Sequence, residues 1–326
     1  MLRRFLPFLL VWPPILLAQE GDEALDVDYA QAQPLATQSL LLDITRTESG
    51  RLVAVGERGH VVLSDDGENW RQADVVPTRS TLTSVAASGG RLWAAGHDTV
   101  IITSGDNGET WTREYFDPER QQAVMDLHFV DERNGVAMGA YGLYLTTDDG
   151  GEYWYDGVVD EENEFHLNDL VRFTDGRRII AGEAGYSYRS FDDGETWEPL
   201  DLPYLGSMWG ATAVGEGCVL FFGLRGHMLE SCDFGDNWEE LSAGTLSSLS
   251  GATHADGTTI VVGNSGAVLV REAGGRFSVD VHSSGVDFAS VLALGGGRFV
   301  LVGEDGIHQY PEVKAKPESA QGGSGQ

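Results

Sequence analysis

Short apolar runs alternate with glycines and acidic turns along almost the whole chain, and no extended run keeps a helical period. The runs come in pairs. RLVAVG (51–56) is followed by HVVLS (60–64), RLWAAG (91–96) by VIITS (100–104), and CVLFFG (218–223) by HMLES (227–231). The first member of each pair ends on a glycine, at Gly56, Gly96, Gly139, Gly182, Gly223, Gly263 and Gly303, with successive gaps of 40, 43, 43, 41, 40 and 40 residues. In six of the seven a second glycine follows three residues on, Thr99 being the exception. Strand, Gly-x-x-Gly turn, strand at a period near forty predicts a β-propeller with four strands per blade. Seven registers predict seven blades. The expected fold is all-β, a propeller over residues 24–312.

A second motif closes most of these units. Ser104–Trp111, Thr147–Trp154, Ser190–Trp197 and Ser231–Trp238 fit S/T-x-D-x-G-x-x-W, the Asp box of BNR-like repeats. Leu63–Trp70 lacks the initial hydroxyl, with Ser64 one residue late to take its place, and Val270–Phe277 is a decayed copy. Hydroxyl and carboxylate accept amide hydrogen bonds inside a tight turn, and the indole covers neighbouring strands. Asp65, Asp106, Asp149, Asp192 and Asp233 are therefore expected to be structural. Trp70, Trp111, Trp154, Trp197 and Trp238 belong to the same boxes, and the last four are expected to be mostly buried between blades.

Both ends of the chain read differently. Met1–Ala18 has Arg3 and Arg4, an apolar stretch too short to span a membrane, and Leu16-Leu17-Ala18 as a cleavage site, so it reads as a signal peptide. No cysteine lies near that site to carry a lipid. The expected product is exported and periplasmic. Blade seven shows only three strands before a polar tail, 313–326, expected to be disordered. The alternating segment Leu25–Pro34 is expected to pair with the strand around Ile307–Tyr310 and close the ring.

A formal charge of −30 disfavours nucleic-acid binding. Asp43, Asp126 and Asp169 fall at one position of the inner strands, near the axis. Isolated carboxylates without a ligand-dense loop make a poor metal site, so they are expected to bond amides of the adjacent blade or face channel water. No metal or other cofactor is expected. Cys218 and Cys232 flank one hairpin. With its turn centred between Leu224 and Arg225, strict register sets the thiols on opposite faces, while a bulge brings them together; export favours a bridge.

From about Leu40 to Tyr310, the inner-strand Leu-x-Asp-Ile/Leu, the Gly-x-x-Gly turns and the Asp boxes resemble the photosystem II stability and assembly factor family. That resemblance implies a non-enzymatic lumenal or periplasmic factor that contacts a newly made membrane subunit through a basic patch. Here Arg58, Arg225 and a few other arginines stand in an acidic background, so the reading is a relative serving another envelope membrane complex. The expected partner is a protein, with the chain a monomer and at most peripheral to the membrane. The expected docking rim is the turn residues Glu57, Arg58, His97, Asp98, Tyr141, Glu183, Arg225, Asn264, Glu304 and Asp305. The rival reading is a sialidase-like glycosidase, with Arg58 and Arg225 on a substrate carboxylate and Tyr141 or Tyr186 as nucleophile. It lacks the Arg-Ile-Pro segment common in that family, and no catalytic residue is assigned.

Overall fold

The computed structural model describes residues 27–312, and the signal peptide and tail read from the sequence lie outside them. Seven antiparallel meanders surround one axis. Blade one runs Leu41–Arg46, Leu52–Gly56, Val61–Ser64, Arg71–Gln72 from the axis outward, and the next five blades repeat this order with four strands each. Blade seven has three, Phe288–Gly295, Arg298–Gly303 and Gly306–Tyr310.

The second strand of each blade is apolar on both faces because it lies between two other blades. Val53 and Val55 face blade two, in a cluster with Val85, Leu92 and Ile102. Leu52 and Ala54 face blade seven, in a cluster with Val300 and Val302. Every blade interface has such a cluster, so the core is a ring of seven wedges. The box tryptophans pack toward the preceding blade: Trp111 against blade one, Trp154 against blade two, Trp238 against blade four.

Each inner strand has an irregularity at one shared position that period-two reading did not show, and that of blade seven has a second, between Ala293 and Gly295. Register slips by a residue just before Asp43, Ser84, Asp126, Asp169, Gly210, Gly251 and Ser290. A bulge bends the strand and re-aims the side chain that follows it. Here, at the five of these positions that are not glycine, it turns the side chain toward the next blade. Asp43 Oδ2 accepts from Val85 N of blade two at 2.9 Å, Asp126 Oδ2 from Leu170 N of blade four at 2.9 Å, and Asp169 Oδ2 from Ala211 N of blade five at 2.8 Å.

The same belt closes the ring. Ser290 Oγ of blade seven donates to Asp43 Oδ1 of blade one at 3.0 Å, and Arg46 Nη2 to Ala293 O at 2.7 Å. The expected N-terminal strand is not what seals it. Leu25 and Asp26 lie outside the described residues, and residues 27–34 form no strand. They run over blade one instead, with Ala30 N bonded to Val76 O and Gln33 N to Gln72 Oε1, both at 2.9 Å. Ala36, at the end of that path, is buried in the wedge between blades seven and one.

Cys218 and Cys232 form a disulfide. Val219 pairs with Ser231 and Phe222 with Met228, so the turn centres on Arg225 and Cys218 stands opposite Cys232. No bulge is needed. The expected offset came from placing the turn centre half a residue early.

Candidate functional site

The two faces of the ring are built by different means. One carries the Asp boxes. In blade five Ser231 Oγ donates to Asp233 Oδ1 at 2.9 Å and accepts from Gly235 N at 2.8 Å, while Asp233 takes Asn237 N and Nδ2 at 2.9 and 2.7 Å. Asp106, Asp149 and Asp192 make the equivalent amide bonds. These donors hold the box carboxyls below the usual range, Asp192 at about 2 through Thr196 and Ser190. Blade one corrects the sequence alignment. There Asp66, not Asp65, accepts from Ser64 Oγ and from the amides of Glu68 and Asn69. Asp65 points out to Arg51 Nε at 2.6 Å. Starting the box at Ser64 makes it one residue shorter, and the alignment counted from Leu63.

The tryptophans divide. Trp111 and Trp154 are buried, whereas Trp70, Trp197 and Trp238 are partly buried. Trp197 and Trp238 are less completely covered but still pack on core clusters, Trp197 between blades three and four and Trp238 between blades four and five.

The opposite face carries the Gly-x-x-Gly turns, a single 3-10 turn in blades one to six and a two-residue hairpin turn in blade seven, each leading into the third strand. Its glycines meet backbone. A Cβ on Gly59 would stand 2.1 Å from Thr78 O, one on Gly226 2.3 Å from Thr245 O, and one on Gly306 2.0 Å from Thr37 O. The last glycine of the turn therefore packs directly against the segment crossing to the next blade. Thr99 differs, its amide and Oγ1 both donating to Gln122 O at 3.1 and 2.8 Å.

Between the glycines the two turn residues separate in role. Three of the first-position side chains hold crossing segments: Glu183 Oε2 accepts from His166 N at 3.2 Å, and Asn264 Nδ2 donates to Asp287 Oδ2 at 2.7 Å. Glu304 accepts from Asp287 N. The expectation that both residues are spare for recognition is corrected here. Glu57 and His97 also occupy first positions. Second positions are left-handed in every blade: Arg58, Asp98, Tyr141, Ala184, Arg225, Ser265 and Asp305, with φ between 54° and 59°. None is glycine or asparagine. A non-glycine residue in this region is strained by about 1 kcal/mol or more. Most are exposed; Asp98 accepts from Ser80 Oγ at 2.6 Å through its side chain, while Arg225 and Tyr141 are held through their backbones, by Ser248 Oγ and Gln122 Nε2 at 3.3 and 3.2 Å.

Three further features of this face lie outside the expected rim. Leu205 and Leu246, on the crossings into blades five and six, are 83% and 86% exposed. His166 meets the Tyr141 ring edge-on at 5.0 Å, and Phe165 stacks on Tyr186 at 4.2 Å. Apolar residues in a predicted loop were the available signal for the leucines.

Near the axis burial dominates. It raises Asp43 from 3.8 to about 6 and lifts Asp126 and Asp169 as well. Among the described residues no three acidic, histidine or cysteine groups converge to hold a metal.

Comparison with known proteins gives one family and one fold. The model of the photosynthesis system II assembly factor YCF48 family matches residues 114–295. No curated protein matches the chain. Among solved structures, "YCF48 bound to D1 peptide" superposes with TM-score 0.70 at 18% identity, covering 87% of this chain and 94% of that one. YCF48 from Cyanidioschyzon merolae gives 0.68 at 17%, covering 86% and 97%. The WD40 propeller domain of Doa1 gives 0.65 at 15%, covering 87% and 96%. At these identities the structural likeness shows the propeller fold, and the family match is what distinguishes among propellers.

Proposed function

This chain belongs to the photosynthesis system II assembly factor YCF48 family, and from that premise we propose that it is an exported, non-enzymatic assembly factor. It works in the periplasm as a monomer, and its Gly-x-x-Gly rim docks a protein subunit of an envelope membrane complex. The carrying observation is the ring of left-handed second positions. They keep real side chains where glycine would relieve strain, and most of those side chains point to solvent. A YCF48 propeller bound to a D1 peptide supports peptide recognition as the family's kind of chemistry.

The glycosidase reading has little to build on. Arg58 and Arg225 sit in turns of blades one and five, three blades apart around the ring. The Tyr141 and Tyr186 rings pack on His166 and Phe165.

The test replaces Arg58, Tyr141 and Arg225 together by glycine, which suits their backbone. Photo-crosslinking in the cell envelope, from probes placed on the rim and at Glu195 on the box face, reads partner contact. Rim probes should trap a membrane-complex subunit, and the triple variant should lose it while staying folded. Glu109 is unsuitable as a box-face control because it bonds both Arg51 and Arg71. Equal trapping from Glu195, or full trapping by the triple variant, overturns the docking face. Hydrolysis of a sialoside that depends on Arg58 and Arg225 would favour the enzyme.

A further inference from the structure

Between blades three and five the rim has a chemistry of its own. The crossing segment after Tyr155–Asp156 carries Glu161, Glu162 and Glu164, all exposed. It is nevertheless held firmly. Asp160 accepts from Tyr188 Oη, Asn163 Nδ2 and Glu162 N at 2.9, 2.9 and 2.8 Å, and Gly142 N donates to Phe165 O at 3.1 Å. A sequence-level reading makes this acidic stretch a solvated loop; the bonds make it a fixed platform.

Aromatic and aliphatic surface lies against that platform. Tyr141, 57% exposed, stands on the blade-three turn, and Tyr186, 38% exposed, follows the blade-four turn, stacked on Phe165. Leu205 comes next, its Cα 3.0 Å from where a Cβ on Gly185 would be. Among the described residues Glu161, Glu162 and Glu164 have no ion-pair partner, and Glu183 meets only His166, at 3.8 Å. The carboxylates are spread along the arc and do not converge on a point, which suits several separate cations better than one metal ion. Exposed tyrosine faces beside carboxylates attract lysine and arginine side chains.

We propose that the arc Tyr141–Tyr186–Leu205, with Glu161, Glu162, Glu164 and Glu183, docks an extended, lysine- or arginine-rich segment of the partner protein, with an apolar partner residue over Leu205. This rests on the rim-docking reading and sharpens it: this part of the rim reads positive charge.

Fluorescence anisotropy with labelled peptides tests it. One peptide alternates lysine with leucine, and a second replaces each lysine by glutamate. The lysine peptide should bind the full chain more tightly than the glutamate peptide, and more weakly as salt rises. Reversing Glu161, Glu162 and Glu164 to lysine should weaken it at least about tenfold, and Tyr141→Gly or Tyr186→Ala about threefold to tenfold each. Reversing the exposed Glu68, Glu152 and Glu195 of the box face controls for the net charge of −30. If these remote reversals weaken binding equally, or the tyrosine variants have no effect, attraction is only long-range and the proposal falls. If the glutamate peptide binds better and still loses affinity in the Arg58, Tyr141, Arg225 glycine variant, rim docking stands and this inference alone is overturned.

Discussion

Asp43 sits where the ring closes, and its protonation should set how stability depends on pH. Its Oδ1 accepts from Ile44 N at 2.8 Å and from Ser290 Oγ, while Oδ2 accepts from Val85 N. Those donors favour the carboxylate, but burial outweighs them and the neighbouring Asp126 adds to it, raising Asp43 from 3.8 to about 6. Because the folded value lies above the unfolded one, the associated stability is fully present below 3.8 and is lost as pH rises through about 6. The rise amounts to roughly 3 kcal/mol. Asp43 is half-buried at the channel wall, so water there makes that figure a ceiling. Asp43→Asn imitates the protonated acid and should remove the dependence. Urea unfolding of both proteins between pH 4 and 7, disulfide intact, gives the difference in stability at each pH. That difference should move steadily in favour of the variant from pH 4 and level off above about 6. A constant offset, from the hydrogen bond that asparagine cannot accept, is expected and is irrelevant. A difference that stays flat, or moves the other way, refutes the reasoning.

Other outcomes follow from the same structure. Trp154→Ala should cost roughly 3–5 kcal/mol and Trp197→Ala less, since the first indole is the more completely buried, as paired denaturation curves will show. Asp66→Ala should destabilise blade one more than Asp65→Ala, because Asp66 takes two backbone amides and Asp65 only an exposed arginine pair; equal losses would return the box to Asp65. Ala184→Gly should raise stability by up to about 1 kcal/mol at its φ of 54°, read from the urea midpoint. Asp192, held at about 2, contributes stability above its unfolded value that is lost as pH falls through about 2, so Asp192→Asn should flatten the acid limb of the stability curve.

What the sequence disclosed was whatever recurs. Gly56 to Gly303 set blade number, and the box residues set one face, because a repeat prints the same demand several times. What it concealed were offsets of a single residue. The bulge before Asp43 or Asp169 inserts one position without changing apolar alternation nearby, so the inward turn of the carboxylates was visible only as a run of small or acidic residues. The Cys218–Cys232 register turned on one residue in the hairpin, and the first box on whether counting starts at Leu63 or Ser64. The N-terminal segment failed for another reason. Alternation of Leu25, Val27 and Tyr29 predicts a strand but names no partner edge, and in the structure Ala30 and Gln33 bond blade one. The exposed leucines of the rim were legible as composition but not as place, since Leu205 and Leu246 become neighbours of the turns only once crossings and turns are folded together.

The repeats also allow fold and function to be separated within this one chain. Positions that the architecture needs are nearly the same from blade to blade: hydroxyl, aspartate, glycine and tryptophan on the box face, and the packed glycine of each turn. The second turn position is under an equally uniform constraint, a φ close to 55° in all seven blades, and glycine would satisfy it best. Yet its occupants are arginine, aspartate, tyrosine, alanine, arginine, serine and aspartate. A uniform backbone demand met by dissimilar and strained side chains is not what packing selects, because these residues pack on little. It is what a surface selects when each blade contributes a different contact. Under the proposed rim docking, the acidic crossing beside Tyr141 and the arginine turn of blade five would be two ends of one recognition surface, held at fixed spacing by the like turns beneath them.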